Sequence, residues 1–281
     1  VVFLVIFLDM VGFSVIFPLF PEMLSYYLDQ EESASNGGLL TEFVLLVEGL
    51  AFEPAESAGN FLRFETVIFG GVLGSLYAIL QFFFAPVWGR LSDKFGRRPV
   101  LLFTVAGTCV GYALWVFAGS FWILVLSRVL GGVASGNLSV ATASIADVTS
   151  RESRSKGMAL VGVAFGLGFI LGPALGGWAS TLEPLGSDSD GVFVLNKFSM
   201  AAIISLGLGI INWLWLVARF RETLPIEKRT KASSRKGAIF ELGKISSGAV
   251  KKTCLTYLFY MISFSGMEFT LTFLAVERFN Y

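Results

Sequence analysis

Seven long apolar runs govern what this chain can fold into: Val1–Leu24, Val67–Val87, Pro99–Phe117, Phe121–Ala146, Met158–Ala179, Phe198–Val217 and Cys254–Val276. Each holds about the twenty residues a helix needs to cross hydrocarbon at roughly 1.5 Å per residue. A backbone inside a bilayer must satisfy its own polar groups, so runs of this kind cross as helices. A chain that is 54% hydrophobic, with its apolar residues in blocks, is read as an all-α polytopic membrane protein rather than a soluble domain. Histidine is absent, which removes imidazole metal sites. Cys109 and Cys254 lie in or beside apolar runs and give no disulfide framework. No metal or cofactor is expected.

The basic residues orient the spans. The links on one side hold Arg90, Lys94, Arg97 and Arg98, then Arg151, Arg154 and Lys156. A third basic segment, from Arg219 to Lys252, lies on the same side, while the opposite side has only Arg63 and Lys197. The positive-inside bias places the first set, and the N-terminus, in the cytoplasm. A seven-span receptor has the reverse orientation. Ser25–Thr66 reads as an acidic outer loop, in which the apolar stretch Leu39–Phe52 either lies on the membrane or is part of a solvated loop. Residues 218–252 read as a basic linker, solvated or in contact with anionic lipid. It divides a six-helix unit, 1–217, from a seventh helix, 253–281.

The link Gly89-Arg90-Leu91-Ser92-Asp93-Lys94-Phe95-Gly96-Arg97-Arg98 joins two apolar runs. Gly89 is expected to end one helix and Pro99 to open the next. Asp93 and Arg97, four apart, are expected to pair along one helical turn. Asp147 closes the fourth run, where an acid opposes the helix dipole and needs a basic neighbour, Arg97 or Arg98. Asp93, Arg97 and Asp147 are therefore expected to form a latch, the alternative being exposed charges of little energetic weight. The order Gly-x-Leu-x-Asp-x-x-Gly-Arg-Arg resembles the loop 2–3 signature of the major facilitator superfamily of secondary transporters.

In the fifth run Gly162 and Gly166, and Gly168, Gly172 and Gly176, recur every four residues. That spacing makes a smooth face for a second backbone, while Pro173 favours a kink. The ordinary reading is a close-packed membrane helix. The full pattern through Pro173, Gly176 and Gly177 resembles the fifth-helix motif of the superfamily's antiporters. The resemblance implies a bend on which two halves rock, and exchange as the mode.

Ionisable groups inside the runs are the remaining candidates. Arg128 either snorkels to the outer interface or faces a polar interior. In the second case it resembles the superfamily's fourth-helix arginine, linked to proton handling, although Gly131 stands where a polar residue is usual. Asp9 and Glu268 interrupt the first and seventh runs. A carboxylate in hydrocarbon favours its neutral form and so can take up and release protons. A structural role near the inner helix end is the other reading for Asp9. Gln81, Asn137, Asn212 and Tyr260 are polar groups that line a substrate path or simply bond neighbouring helices.

The resemblance extends over nearly the whole chain and points to the drug:proton antiporter group. It implies two six-helix bundles, so this chain is expected to be a fragment: the N-terminal bundle and the first helix of the second. The expected activity is proton-coupled antiport of small organic solutes, organic anions or drugs, by a monomer in the plasma membrane or an internal membrane. Its partners would be solute, protons and lipid, with no nucleic acid and no enzymatic reaction. A non-transporting receptor or scaffold that keeps the fold is the alternative.

Overall fold

The computed structural model describes residues 1–33, 38, 40–42, 58–182, 193–229 and 248–279. The expected surface stretch 39–52 falls almost wholly outside the described residues. The chain forms two compact units, Val1–Thr230 and Lys231–Tyr281.

The first unit is a helical bundle. Its helices are α1 (Val2–Ser14), α2 (Phe20–Ser33), α3 (Ala58–Phe95), α4 (Arg97–Val116), α5 (Phe121–Ala134), α6 (Asn137–Val148), α7 (Arg154–Ser180) and α8 (Ser199–Arg219). Among the described residues the only β pairing is an isolated bridge between Ala118 and Phe193. Among the described residues six helical stretches are long and apolar enough to cross a membrane: Val2–Glu31, Ile68–Phe95, Arg97–Val116, Phe121–Val148, Arg154–Ser180 and Ser199–Arg219. The second unit contributes α9 (Gly248–Phe279), a 32-residue helix that carries the seventh apolar run.

Packing follows the small and branched residues. α1 lies against α7 and α8, α4 against α5 and α8, and α3 against α5. One apolar cluster joins Val5, Ile6 and Met10 of α1 to Val100, Leu101 and Val105 of α4, with Val140, Ala164 and Leu216 from α6, α7 and α8. Beyond the end of α4, the Ala118 carbonyl accepts from the Tyr27 hydroxyl at 2.7 Å and from Asn196 Nδ2 at 2.6 Å. That single acceptor ties α2, the α4–α5 link and the start of α8 together.

Four expectations are corrected. The first run is not one helix: Pro18 has no N–H to give, and a 3-10 turn at Phe17–Leu19 separates α1 from α2. The expected outer loop is shorter, because α2 continues to Ser33 and α3 begins at Ala58. The fourth run breaks at Ser135–Gly136.

The link Gly89–Arg98 is not a ten-residue turn. α3 passes straight through Gly89 to Phe95, since Arg, Leu and Lys favour helix. Gly89 is there for proximity: a Cβ would stand 3.3 Å from Ser139 Oγ on α6. The chain reverses at Gly96 alone, with φ of 106°, a conformation that glycine adopts without Cβ strain. α4 then opens at Arg97, with Pro99 inside its first turn, where a missing N–H costs nothing.

Candidate functional site

Gly96 sets the geometry of the first cluster. Asp93 lies in the last turn of α3 and Arg97 opens α4, so their 2.8 Å ion pair bridges the reversal and not one continuous helical turn. Arg97 Nε donates to Asp147 Oδ2 at 2.9 Å, and Nη1 donates to Ser92 Oγ at 2.6 Å. The guanidinium is buried, with its side chain 7% exposed, whereas Asp147 is 21% and Asp93 45% exposed. An ion pair as exposed as Asp93's contributes about 0–1 kcal/mol. Removing one partner from a buried pair costs about 3–5 kcal/mol. The bond to Asp147 therefore carries more of the cluster's energy.

Arg98 does not join this cluster. Its Nη2 donates to the Val217 carbonyl at the end of α8, at 2.8 Å. Its backbone N–H donates instead to Glu222, a residue without a functional role in the sequence reading.

The Glu222 carboxylate accepts from the backbone N–H groups of Arg97 at 2.8 Å, Arg98 at 3.2 Å, and Thr223 and Leu224, both at 3.0 Å. It also pairs with Arg229 at 3.6 Å. It thus caps the N-terminus of α4, where the helix dipole favours an anion. A Cβ on Gly96 would collide with this carboxylate, so the reversal and the cap require each other. Burial alone would raise the Glu222 pKa. The backbone donors and the Arg229 guanidinium outweigh it and hold the group below the usual carboxylate range. Leu224, two residues on, is buried, so the first residues of the expected linker pack on the bundle.

A second cluster forms where α5 gives way to α6. Ending α5 leaves carbonyls without helical partners. The Trp88 indole N–H donates to the Val133 carbonyl at 2.7 Å, and Gln81 Nε2 donates to Ser135 Oγ at 2.6 Å. Both side chains come from α3. Gly136 admits them: a Cβ there would lie 2.5 Å from Trp88. Asn137 opens α6, and its Nδ2 donates to Asp9 Oδ1 at 2.9 Å while its own Oδ1 is buried without a hydrogen bond. An amide can turn to offer either a donor to a carboxylate or an acceptor to a carboxylic acid. This pair can therefore hold Asp9 in both protonation states. Asp9, Gln81, Asn137 and Ser135 all meet the break.

Asn212 lies inside the bundle. It is 1% exposed, and its Nδ2 donates to the Val5 carbonyl one turn along α1 from Asp9, at 3.1 Å. Arg128 is 4% exposed and folds inward over the Trp115 ring, 4.9 Å from its centroid, instead of reaching outward. In α7, Gly168, Gly172 and Gly176 are buried against α1, where Ser14 Oγ donates to the Gly168 carbonyl at 3.0 Å. Gly162, Gly166 and Gly177 face open space. Pro173 stands inside α7 without ending it. In α9, Tyr260 is 61% exposed and stacks on Phe264 at 6.3 Å. The Glu268 side chain lies outside the described residues. Among the described residues no group of histidine, cysteine or carboxylate side chains is arranged to hold a metal ion.

Comparison with known proteins gives a consistent picture. A sequence model described as Major Facilitator Superfamily matches residues 2–281. Major facilitator superfamily domain-containing protein 10 of Mus musculus is 34% identical over all of this chain and 61% of its own length. Tetracycline resistance protein, class B, of Escherichia coli is 32% identical over 77% of this chain and 42% of its own. The crystal structure of the human organic anion transporter MFSD10 (TETRAN) superposes with a TM-score of 0.79 at 32% identity, covering all of this chain and 65% of that one. The chain thus spans about three fifths of the length of its animal relatives.

Proposed function

The chain belongs to the major facilitator superfamily, and from that premise we propose that it is part of a proton-coupled antiporter of small organic solutes. Residues 1–217 form its first six-helix bundle, 218–252 the link between bundles, and 253–281 the first helix of the second. The N-terminus is cytoplasmic, and the solute is an organic anion or a drug. The observation that carries this reading is the Asp9–Asn137 pair beside the break in the fourth span. A carboxylate that one amide can serve whether protonated or not is suited to carry a proton between two conformations. The Arg97–Asp147 contact serves as the cytoplasmic gate, and the α1–α7 glycine seam as the surface on which the bundle keeps its shape while it tilts. Gln81 lines the path of the first bundle, and Glu268 and Tyr260 are polar residues of the seventh helix. The protein works as a monomer with membrane lipid around it.

The test uses the full-length protein in proteoliposomes under an imposed pH gradient. Addition of an organic anion or a tetracycline on one side is expected to move protons on the other. Asp9→Asn is expected to keep solute exchange at zero gradient and to lose its acceleration by the gradient. Solute flux that is blind to the gradient in the wild type removes proton coupling. Absence of any flux across a panel of solutes leaves the fold as a receptor or scaffold and removes the transport reading.

A further inference from the structure

Arg128 is the least balanced charge of the described bundle. It is 4% exposed within an apolar span, and an arginine does not escape burial by losing its proton. Intramembrane guanidinium groups ordinarily face the bundle interior or a wet cavity and pair with an acid or with backbone carbonyls. Among the described residues no carboxylate lies within ion-pair distance of this one. The pairs formed belong to Arg97, Lys197 and Arg229. Its contacts are neutral: the Trp115 ring and the Ser127 hydroxyl, which is 3.3 Å from Nε.

The guanidinium opens on a small cavity between α3, α4 and α5, walled by Tyr77, Thr108, Tyr112 and Ser127. The cavity has room for about one particle the size of a water molecule. That excludes the body of any organic acid. Thr108 and Ser127 already donate their hydroxyl protons to the Val105 and Leu124 carbonyls, at 2.9 and 2.7 Å. The Tyr112 hydroxyl makes no hydrogen bond to a described residue and reaches toward α1, 3.2 Å from where a Cβ on Gly12 would stand, so its proton is uncommitted. The cavity therefore offers a fixed positive charge, one uncommitted donor and one-particle room.

We propose that this cavity is a resident site for a small inorganic monovalent anion, chloride in a cell, held between the Arg128 guanidinium and the Tyr112 hydroxyl. The ion supplies the counter-charge that the surrounding helices do not. It bridges α4 and α5 at a point where the two otherwise meet through neutral groups. A water molecule fits the same room but leaves the charge unbalanced. The test does not depend on transport.

The experiment is a chloride titration of the purified full-length protein, with gluconate replaced at constant ionic strength, read by thermal unfolding. The melting temperature is expected to rise and saturate with chloride, bromide is expected to substitute, and sulfate is expected to have no effect. Tyr112→Phe removes one donor and is expected to raise the half-saturating chloride concentration about tenfold. Arg128→Gln is expected to abolish the response; where that variant does not fold, Tyr112→Phe decides alone. Diffraction from crystals grown in bromide is expected to show an anomalous peak beside Arg128. Equal melting in chloride and gluconate, or an unchanged chloride response in Tyr112→Phe, overturns the proposal in favour of a water-filled or empty cavity.

Discussion

The Glu222 carboxylate lies 2.8 Å from the backbone nitrogen of Arg97, a residue 125 positions earlier whose side chain simultaneously grips Asp147. One residue is thus held twice, by its main chain from beyond the sixth span and by its side chain from the end of the fourth. The segment that leaves the bundle is mechanically joined to the ionic cluster at its base.

Glu222→Gln is expected to lower stability by about 1 kcal/mol, a charge-assisted capping bond discounted for solvent screening at a partly exposed site. The effect depends on pH in a defined direction. The folded-state pKa of Glu222 is depressed, so its contribution is complete above the ordinary carboxylate range. It is lost as pH falls through the lowered folded value. Melting curves of wild type and Glu222→Gln in detergent should separate near neutral pH and converge on acidification. Curves that stay parallel down to strong acid contradict the capping role.

The Arg97–Asp147 bond predicts non-additivity. Arg97→Ala and Asp147→Ala should each destabilise the bundle by about 2–4 kcal/mol, and the double variant by less than their sum. Arg97→Lys should rescue little, because one ammonium cannot reproduce the separate Nε and Nη1 bonds to Asp147 and Asp93. A double-mutant cycle on thermal unfolding measures the coupling. Strict additivity means the two side chains act independently.

The glycines of α7 separate into two classes. An alanine at position 176 would drive its Cβ into the Val15 carbonyl just past α1, and one at 172 would stand 2.8 Å from the Val11 carbonyl. Backbone atoms cannot swing aside, so Gly176→Ala should cost about 1–3 kcal/mol or more. Gly162→Ala meets nothing within 4 Å and should be neutral or slightly stabilising through helix propensity. Thermal unfolding of the two single variants gives the comparison directly. Equal losses would place α7 differently against α1.

The spans and the Asp93–Arg97–Asp147 contact were legible because hydropathy and local charge are written along the chain. What stayed hidden is tertiary. A Ser-Gly pair can mark a helix break, but Gly74–Ser75 and Ser265–Gly266 stay helical; the groups that stabilise the break at Ser135–Gly136, Trp88 and Gln81, come from another helix. Glu222 sits in an ordinary polar stretch, and only the return of that stretch to Gly96 gives it a role. The spacing of four in α7 generates two glycine faces of equal appearance, and contact with α1 distinguishes them. Arg128 near a helix end reads as a snorkelling residue until Trp115 is seen beneath it. The reach of α3 to Phe95 is hidden because Gly89 has the composition of a helix terminator and serves close approach to Ser139 instead.

The two ends of α4 are fastened by different chemistry. Past Val116 the fastening is a neutral carbonyl shared by a phenol and an amide; at Arg97 it is ionic. Salt and acid act on ion pairs far more than on neutral hydrogen bonds. A rise in electrolyte or a fall in pH will therefore loosen the bundle chiefly at its Arg97 pole, since the Lys197–Glu22 pair at the other is exposed and 3.9 Å long. A molecule fastened in this way registers the compartment at its Arg97 end and is largely indifferent to the one at the other.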